Sequence, residues 1–492
     1  MTDHKIIRGA IWASVGSWGG ALVSLLIFVV TARLLGPDAF GVMALGWLVL
    51  TFPDLFLNKT VSETLIQKDD LRAGHTNSFF WVAVLSSFVF AALIALLAPP
   101  IAAFFDSADF GAILPIFGGL LILVALKAVP MALMRRAMRF KELAVINLVA
   151  LVFAGATGIT MAVLGFGVWS LVALAYVEYL VSLVVVWRLA GWRPTGFVHW
   201  ASIAEMTPFA RNTFAAALIT QAAIQFPRFA IGAFLGVGAL GIYMIAWNTF
   251  ERLSALLMAP VRNVALPAIT ETRSEIEMFR QTYVRVLSFS AQVTYPVYIG
   301  AAAVAPLAIP LLFGPQWMES GLLAQIILFI GLRSGVTELN SAVIKGFDRT
   351  DLTLVLSSVN LVINVALVML AIPFGLAAVA LAVLARRFLT WPLSIYFVTL
   401  SCGLSMRKQF VAGLPALCAV LTMFGAVLGT GSALTEGVPD LAKLTVMIGV
   451  GIVVYGAISF VLAKEPERAA YKHAVGGLLS GDFGSVKRYL FS

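Results

Sequence analysis

The sequence predicts an all-α integral membrane protein with about fourteen transmembrane helices. Of its 492 residues, 61% are hydrophobic and only 12% are charged, and the mean hydropathy is +0.98. Soluble domains carry roughly 25% charged residues, so this composition excludes an ordinary soluble domain. Stretches of the roughly 20 apolar residues that a helix needs to cross the hydrocarbon recur along most of the chain.

The predicted spans are separated by short polar loops. They lie at 11–34, 40–60, 79–104, 110–133, 143–164, 166–188, 208–234, 239–266, 284–312, 319–343, 352–372, 375–400, 409–430 and 441–463. The first apolar run is too long for a signal-peptide core and lacks a convincing small-residue cleavage site, so we expect it to be an uncleaved span. The second, eighth and tenth spans are the least apolar, because each contains polar or charged residues.

The loops alternate in charge. One set is rich in basic residues, as in the segment from Arg135 to Lys141, whereas the other set is poor in them and contains acids such as Asp106 and Glu319. The positive-inside rule makes the basic set cytoplasmic. Both termini are then cytoplasmic, which requires an even number of spans and agrees with fourteen. Basic loops also account for the net charge of +9 and the pI of about 9.6, so nucleic acid is not an expected partner.

Cysteine and histidine usage predicts no cofactor and no metal. Cys402 and Cys418 fall in or beside apolar spans, and they form neither a disulfide framework nor a zinc-binding spacing. The four histidines are scattered through polar segments. The outer loops are at most about ten residues long, so we expect the function to lie within the helix bundle.

An internal repeat relates the two halves of the chain. The turn at 35–41 (LGPDAFG) is echoed at 235–241 (LGVGALG), and the basic turn at 135–139 is echoed at 345–349. The offset is about two hundred residues in each case. Parallel repeats of this kind are a known transporter pattern. They predict two six-helix halves and two additional helices, with chance recurrence of glycine-rich turns as the alternative.

The turn ARLLGPDAFG, the basic segment RRAMRF and this layout resemble the polysaccharide-transporter branch of the multidrug/oligosaccharidyl-lipid/polysaccharide exporter superfamily. The chain is similar to Wzx-type flippases, colanic-acid and succinoglycan exporters in particular. The resemblance implies a two-lobed, V-shaped bundle in the bacterial inner membrane. It also implies movement of undecaprenyl-diphosphate-linked oligosaccharide to the periplasmic leaflet, with a polysaccharide polymerase and assembly proteins as further partners.

The predicted domains follow this layout. They are an N-terminal lobe at 1–200, a C-terminal lobe at 201–405, two additional helices at 406–463 and a cytoplasmic tail at 464–492. The tail has two interpretations, an interfacial amphipathic helix on anionic lipid or a flexible polar segment.

Charged residues inside the predicted spans are the candidate functional residues. The basic ones are Lys127, Arg228, Arg252, Arg262, Arg333, Arg386 and Arg387, and the acidic ones are Asp54, Glu178, Glu251 and Glu338. A charge at membrane depth costs roughly 2.5 to 3.5 kcal/mol even on insertion scales, so such residues face a partner or a polar cavity. The excess of basic residues predicts an anionic cargo.

The predicted substrate-binding set contains five of these cations. They are Arg228, Arg252, Arg333, Arg386 and Lys127, which lie at different depths rather than in one ring. Arginine suits a diphosphate because its planar guanidinium stays protonated and meets phosphate oxygens bidentately. We exclude Arg262, which is close enough to the cytoplasmic end to snorkel. For Arg387, snorkelling or a neighbouring carbonyl is the preferred interpretation.

Intramembrane pairing is the alternative for each charge. The repeat places Glu178 and Arg386 at corresponding positions, which makes a salt bridge between lobes one hypothesis. The acids Asp54, Glu178, Glu251 and Glu338 neutralise arginines, which is the preferred interpretation, or bind a coupling ion, and the sequence does not choose between a proton and sodium.

Two other functions remain open from the sequence. A multidrug-type cation antiporter of the same superfamily would line its cavity with acids and aromatic residues. A membrane polysaccharide polymerase or glycosyltransferase would need a substantial outer loop, which is not found here. A transporter that is not an enzyme is therefore the preferred reading.

Overall fold

The regular structure is helical in a computed structural model that describes residues 19–68, 70–271, 275–347, 349–434 and 437–462. Within these ranges the side chains at 59, 209, 212, 213, 216, 259–271, 345 and 350 are not described. The predicted tail at 464–492 and the side chain of Arg262 therefore lie outside the described part of the chain.

The first half of the chain forms long helices joined by tight turns. They are α1 (Gly19–Leu34), α2 (Pro37–Asp54), α3 (Val61–Gln67), α4 (Ala73–Phe104), α5 (Ala108–Arg136), α6 (Phe140–Val163), α7 (Trp169–Leu189), α8 (Trp200–Phe234) and α9 (Val237–Glu271). A π-helical segment, Leu55–Thr60, joins α2 to α3.

The second half continues in the same manner, with more breaks. Its helices are α10 (Ile276–Phe313), α11 (Met318–Leu328), α12 (Gly331–Gly346), α13 (Thr350–Ala371), α14 (Leu376–Leu389), α15 (Trp391–Cys402), α16 (Met406–Val411), α17 (Leu414–Ala433) and α18 (Asp440–Leu462).

The helix ends have local causes. Helix α2 begins with Pro37, whose fixed φ and missing N–H suit the first turn. Helix α5 is capped by Ser107, whose hydroxyl accepts a hydrogen bond from the backbone N–H of Phe110 at 3.3 Å. Between α6 and α7 the chain turns through Gly165 and Gly167 with φ of +83° and +55°, a conformation that glycine adopts without strain.

Each predicted span overlaps helical structure, but not every helix is apolar enough to count as a span by itself. In the described part of the chain, ten helices are long and apolar enough to cross a membrane, or eleven if α11 and α12, bent by 44°, form one broken span. Two long helices outside that set, α8 and α9, carry polar residues such as Gln225 and Glu251 in their apolar stretches. The count of fourteen therefore remains a prediction.

The chain packs as two compact units that divide between Met244 and Ile245, within α9. The first unit is built around α5, which packs against α2, α4 and α7. The second unit is built around α10, which packs against α11, α12 and α17. The predicted lobes at 1–200 and 201–405 follow the repeat rather than this packing, and they remain a prediction.

The two echoed turns pack against each other within the first unit. A Cβ atom added to Gly41 would lie 1.9 Å from the carbonyl oxygen of Val237, and one added to Gly241 would lie 1.9 Å from the carbonyl oxygen of Pro37. Residues 37 and 41 correspond to 237 and 241 in the repeat. The contact is therefore reciprocal, as in an isologous two-fold contact, and it requires glycine at both positions.

The π-helical segment follows directly after Pro53. Proline removes a backbone donor, and π segments re-satisfy freed carbonyls and often mark functional sites. Here the hydroxyl of Thr60 donates to the carbonyl of Leu55 at 2.9 Å. The widened turn places Asp54 and Asn58 within hydrogen-bonding contact at the junction.

A polar network ties the first turns of α4 and α8 together. The carboxylate of Glu205 accepts a hydrogen bond from Lys68 and lies 3.1 Å from Nε2 of the buried His75. These two partners hold the pKa of Glu205 below its ordinary value, with the contact to Lys68 as the larger cause. This network lies ahead of the predicted seventh span.

Candidate functional site

In the first unit, the ammonium group of Lys127 lies among acidic and aromatic side chains. It lies 3.9 Å from the centroid of the Tyr179 ring, in a cation–π contact. It interacts electrostatically with both Glu178 and Asp54, which come from α7 and α2. Two predicted acids and one predicted cation therefore meet in one cluster, in which the lysine is compensated.

A cavity of about 390 Å³ adjoins this cluster. It is lined by Trp47, Leu50, Thr51, Asp54, Leu55, Leu120, Leu121, Val124, Tyr179 and Gln221. Ligand pockets usually measure about 300 to 1,000 Å³ and combine apolar walls with a few convergent polar groups. Carboxylate, amide, hydroxyl and aromatic groups all reach this cavity, so it can hold a small polar ligand.

A chain of hydrogen bonds links the cavity wall to Arg228. The hydroxyl of Thr51 donates to the carbonyl of Trp47 at 2.8 Å, so its oxygen is free only to accept. It accepts from Nε2 of Gln225 at 2.7 Å, and Oε1 of Gln225 accepts from the Arg228 guanidinium at 2.9 Å. Gln225 is buried, and the Thr51 hydroxyl therefore fixes which end of its amide faces the arginine.

In the second unit, Arg333 is a buried cation held by neutral groups. Its side chain is only 4% exposed. It donates to the carbonyl of Arg387 at 3.3 Å and to the hydroxyl of Ser394 at 3.4 Å, and its guanidinium lies 4.7 Å from the centroid of the Trp391 ring. Its Nη1 atom is buried and has no hydrogen-bond partner among the described residues.

No carboxylate acts on Arg333 in the described part of the chain. The groups with an electrostatic influence on it are Arg387, Tyr295 and Tyr283. Removing an arginine from water costs several kcal/mol unless a charged partner offsets it. An uncompensated arginine inside a predicted membrane span is therefore a functional candidate by default.

A neutral network holds the surroundings of Arg333 in place. The Ser394 hydroxyl also accepts from the amide of Asn340 at 3.0 Å, and the amide oxygen of Asn340 accepts from the buried Tyr283 hydroxyl. This network joins α10, α12 and α15. It leaves the Arg333 guanidinium little freedom to move, so the cation is pre-positioned.

The remaining predicted cations have separate environments. Arg386 is buried and donates to the amide oxygen of Asn360 at 2.8 Å. Arg252 is half-buried and interacts electrostatically with Glu251, whose carboxylate accepts from the Trp247 indole. The structure thus places these cations on different helices rather than in one cluster.

The acids also divide into separate groups. Asp54 and Glu178 share Lys127, whereas Glu251 and Glu338 are exposed in the second unit. The hypothesised pairing of Glu178 with Arg386 joins different units and remains a prediction.

Sequence reasoning missed the groups that position these charges. Trp391 and Ser394 around Arg333, Gln225 beside Arg228 and Tyr179 beside Lys127 are all uncharged. A search limited to charges could not find them. Two amides one turn apart on α8, Gln221 and Gln225, were the available signal.

Comparisons with known proteins agree with this architecture. The sequence model of a family described as polysaccharide biosynthesis protein matches residues 30–321. Among curated relatives, the chain is 22% identical to the lipopolysaccharide biosynthesis protein WzxC of Escherichia coli (71% of this chain, 72% of the relative). It is also 22% identical to the succinoglycan biosynthesis transport protein ExoT of Rhizobium meliloti (68% and 70%) and 21% identical to the teichuronic acid biosynthesis protein TuaB of Bacillus subtilis (71% and 72%).

Solved structures show the same fold. The lipid II flippase MurJ in an inward closed conformation superposes with a TM-score of 0.74 at 13% identity, covering 92% of this chain and 98% of that one. An inward-facing multidrug resistance transporter of the MATE family gives a TM-score of 0.55 at 13% identity, covering 82% and 95%. At these identities the likeness concerns the fold alone.

Proposed function

Because the chain belongs to the polysaccharide biosynthesis protein family, in the Wzx-type branch of the multidrug/oligosaccharidyl-lipid/polysaccharide exporter superfamily, we propose that it is a flippase for undecaprenyl-diphosphate-linked oligosaccharide. The protein is a multi-pass membrane transporter, not an enzyme. Its curated relatives are named for lipopolysaccharide, succinoglycan and teichuronic acid biosynthesis, which supports a polysaccharide precursor as the cargo proposed for this chain.

The observation that carries the proposal is the uncompensated Arg333. A diphosphate cannot enter hydrocarbon unaided, because ionised groups lose their hydration. A buried guanidinium with an unused N–H offers an anion both charge and a hydrogen bond. An anionic head group passing through the second unit would supply the partner that the described protein residues do not.

The proposed substrate path uses cations at several depths. Arg228, Arg252, Arg333 and Arg386 receive the head group in turn. Lys127 also belongs to the proposed substrate-binding set. Its two acidic neighbours favour charge pairing as its role when no substrate is bound. Asp54 and Glu178 bind a coupling proton or sodium ion only when they release Lys127, and which ion is used stays open.

Alternating access supplies the movement in this proposal. One lobe rocks against the other, with both termini cytoplasmic, so that the head group meets first one leaflet and then the other. A contact at one membrane face must then open in each cycle. The reciprocal contact of Gly41 and Gly241 suits that role, because the two backbones meet there at glycines that have no side chains of their own to disengage.

A multidrug cation antiporter is the second candidate. The observation in its favour is the cavity of the first unit, where the carboxylate of Asp54 lies with Trp47 and Tyr179. Acids and aromatic rings are the groups expected for organic cations. The uncompensated Arg333 argues against this function, since it would repel a cationic drug.

Transport by purified protein in proteoliposomes tests the proposal. A fluorescent undecaprenyl-diphosphate-linked disaccharide is placed in both leaflets, and a membrane-impermeant quencher is added outside. The fluorescence that remains in the inner leaflet is then followed, because it falls as the lipid moves to the outer leaflet. We expect protein-dependent exchange between leaflets, with no exchange of the same disaccharide on a neutral undecaprenol. Ethidium transport without lipid exchange would instead establish the antiporter.

A further inference from the structure

We propose that the cavity of the first unit is a subsite for the sugar ring next to the diphosphate, an inference that rests on the proposed flippase function. The cavity of about 390 Å³ lies against Trp47, Thr51, Asp54, Tyr179 and Gln221. Nothing in the family comparison assigns it a ligand. Its chemistry, its volume and its connection to Arg228 all favour a neutral polyol.

The walls combine aromatic faces with hydrogen-bonding groups. The rings of Trp47 and Tyr179 lie 6.2 Å apart at 31°, and Trp47 is held from behind by an edge-to-face contact with Phe117 at 5.7 Å. A carboxylate from Asp54 and an amide from Gln221 face the same space. Sugar rings have apolar C–H faces and hydroxyl edges, so fixed aromatic rings beside an acceptor and an amide match them.

The charge balance around the cavity favours a neutral ligand. A metal or drug cation would have to displace Lys127 from Asp54, whereas a phosphate would be repelled by the Asp54 carboxylate. An apolar ligand would offer no hydrogen bond to the Gln221 amide that faces the cavity, which costs free energy. A neutral ligand whose hydroxyls both donate and accept satisfies these groups without disturbing the lysine.

A chain of hydrogen bonds connects the cavity wall to Arg228. Thr51 lines the cavity, and two hydrogen bonds of 2.7 and 2.9 Å lead from its hydroxyl through Gln225 to Arg228. In a lipid-linked oligosaccharide the first sugar is bonded directly to the diphosphate. A diphosphate on Arg228 therefore places that sugar beside the cavity.

The test is binding to the full-length protein in nanodiscs. The probes are undecaprenol, undecaprenyl diphosphate, and undecaprenyl diphosphate carrying glucose, galactose or N-acetylglucosamine. The wild type is expected to bind at least one of the sugar-bearing lipids about tenfold more tightly than undecaprenyl diphosphate, as two or three hydrogen bonds and a ring contact allow. Equal binding of all the diphosphates would overturn the subsite and leave the flippase proposal standing, whereas failure to prefer undecaprenyl diphosphate over undecaprenol would contradict the flippase proposal itself.

Substitutions in the cavity lining test whether the sugar-dependent gain in affinity arises there. Gln221→Leu and Trp47→Leu should abolish the sugar-dependent gain and leave the affinity for undecaprenyl diphosphate within about twofold, while Trp47→Phe should retain part of the gain. Thr157→Val is the matched control, because this half-buried residue on α6 is not part of the cavity lining and its hydroxyl donates within its own helix, to the carbonyl of Phe153 at 3.0 Å. If Gln221→Leu and Trp47→Leu, folded as judged by thermal stability, keep the gain or weaken all diphosphates equally, the sugar does not bind in this cavity.

Discussion

The buried cations of the two units have different neighbours. In the first unit, Lys127 lies with two carboxylates, Asp54 and Glu178, so its charge is compensated inside the protein. In the second unit, Arg333 has a carbonyl, a hydroxyl and an indole ring around it, and no carboxylate among the described residues. The comparison separates a cation that the fold already neutralises from one that an anionic ligand would neutralise.

The largest expected effect follows from removing Arg333. Arg333→Gln should reduce polysaccharide export by about a hundredfold, because a charge-assisted contact to the diphosphate is lost in a water-poor site. Export in a deletion strain complemented with the variant gives the measurement. Arg349→Gln, an exposed arginine paired with Asp351, is the matched control and should export normally. Normal export by Arg333→Gln would remove the distinction between the two units.

Removing Lys127 should damage stability more than transport specificity. Lys127→Met leaves two carboxylates without their cation, and we expect a loss of about 2 kcal/mol in the free energy of unfolding, below the range for fully buried pairs. Thermal unfolding in detergent gives the measurement. The neutral triple variant, Lys127→Met with Asp54→Asn and Glu178→Gln, should recover most of the stability. If the triple variant is as unstable as the single one, the cluster is not held by charge compensation.

Trp391 contributes to the neutral environment of Arg333 in the second unit. Trp391→Leu removes the ring beneath the guanidinium, a contact worth about 1 kcal/mol, so export should fall about fivefold. Trp391→Phe should lie between this variant and the wild type, since a smaller ring keeps part of the contact. An effect on protein level without an effect on export per molecule would assign the indole to packing alone.

The smallest effect is expected at the exposed network of Glu205. Its folded-state pKa lies below the ordinary 4.5, so its contribution to stability is present above about pH 4.5 and is lost as the pH falls through the folded-state value. Glu205→Gln should therefore lower the melting temperature slightly at pH 7, and the difference should shrink at pH 4. A difference that grows on acidification would contradict this assignment.

Most of the helices could be predicted because apolar length is a local property of the sequence. The predicted span at 110–133 lies within α5, and the glycine turn before 166 separates α6 from α7. Helix α4 begins at Ala73, six residues before the predicted span at 79–104. Its first turns contain polar residues such as Asn77 and Ser78, which are buried because they bond to the segment before α8.

The candidate site could be predicted only in part. The sequence identified Lys127 and Arg333 as charges at membrane depth, but it could not distinguish their environments, because the partners lie far away in the chain. Ser394 is 61 residues from Arg333, and Gln225 is 174 residues from Thr51. The π-helical segment that positions Asp54 has no periodic signature, so it too required the structure.

Affinity for the head group tests the central claim most directly. Wild-type protein and Arg333→Gln in nanodiscs are titrated with undecaprenyl diphosphate and with undecaprenol. The wild type should prefer the diphosphate by at least about tenfold, and Arg333→Gln should lose most of that preference while binding undecaprenol unchanged. An undiminished preference in the folded variant would show that Arg333 does not bind the anionic head group.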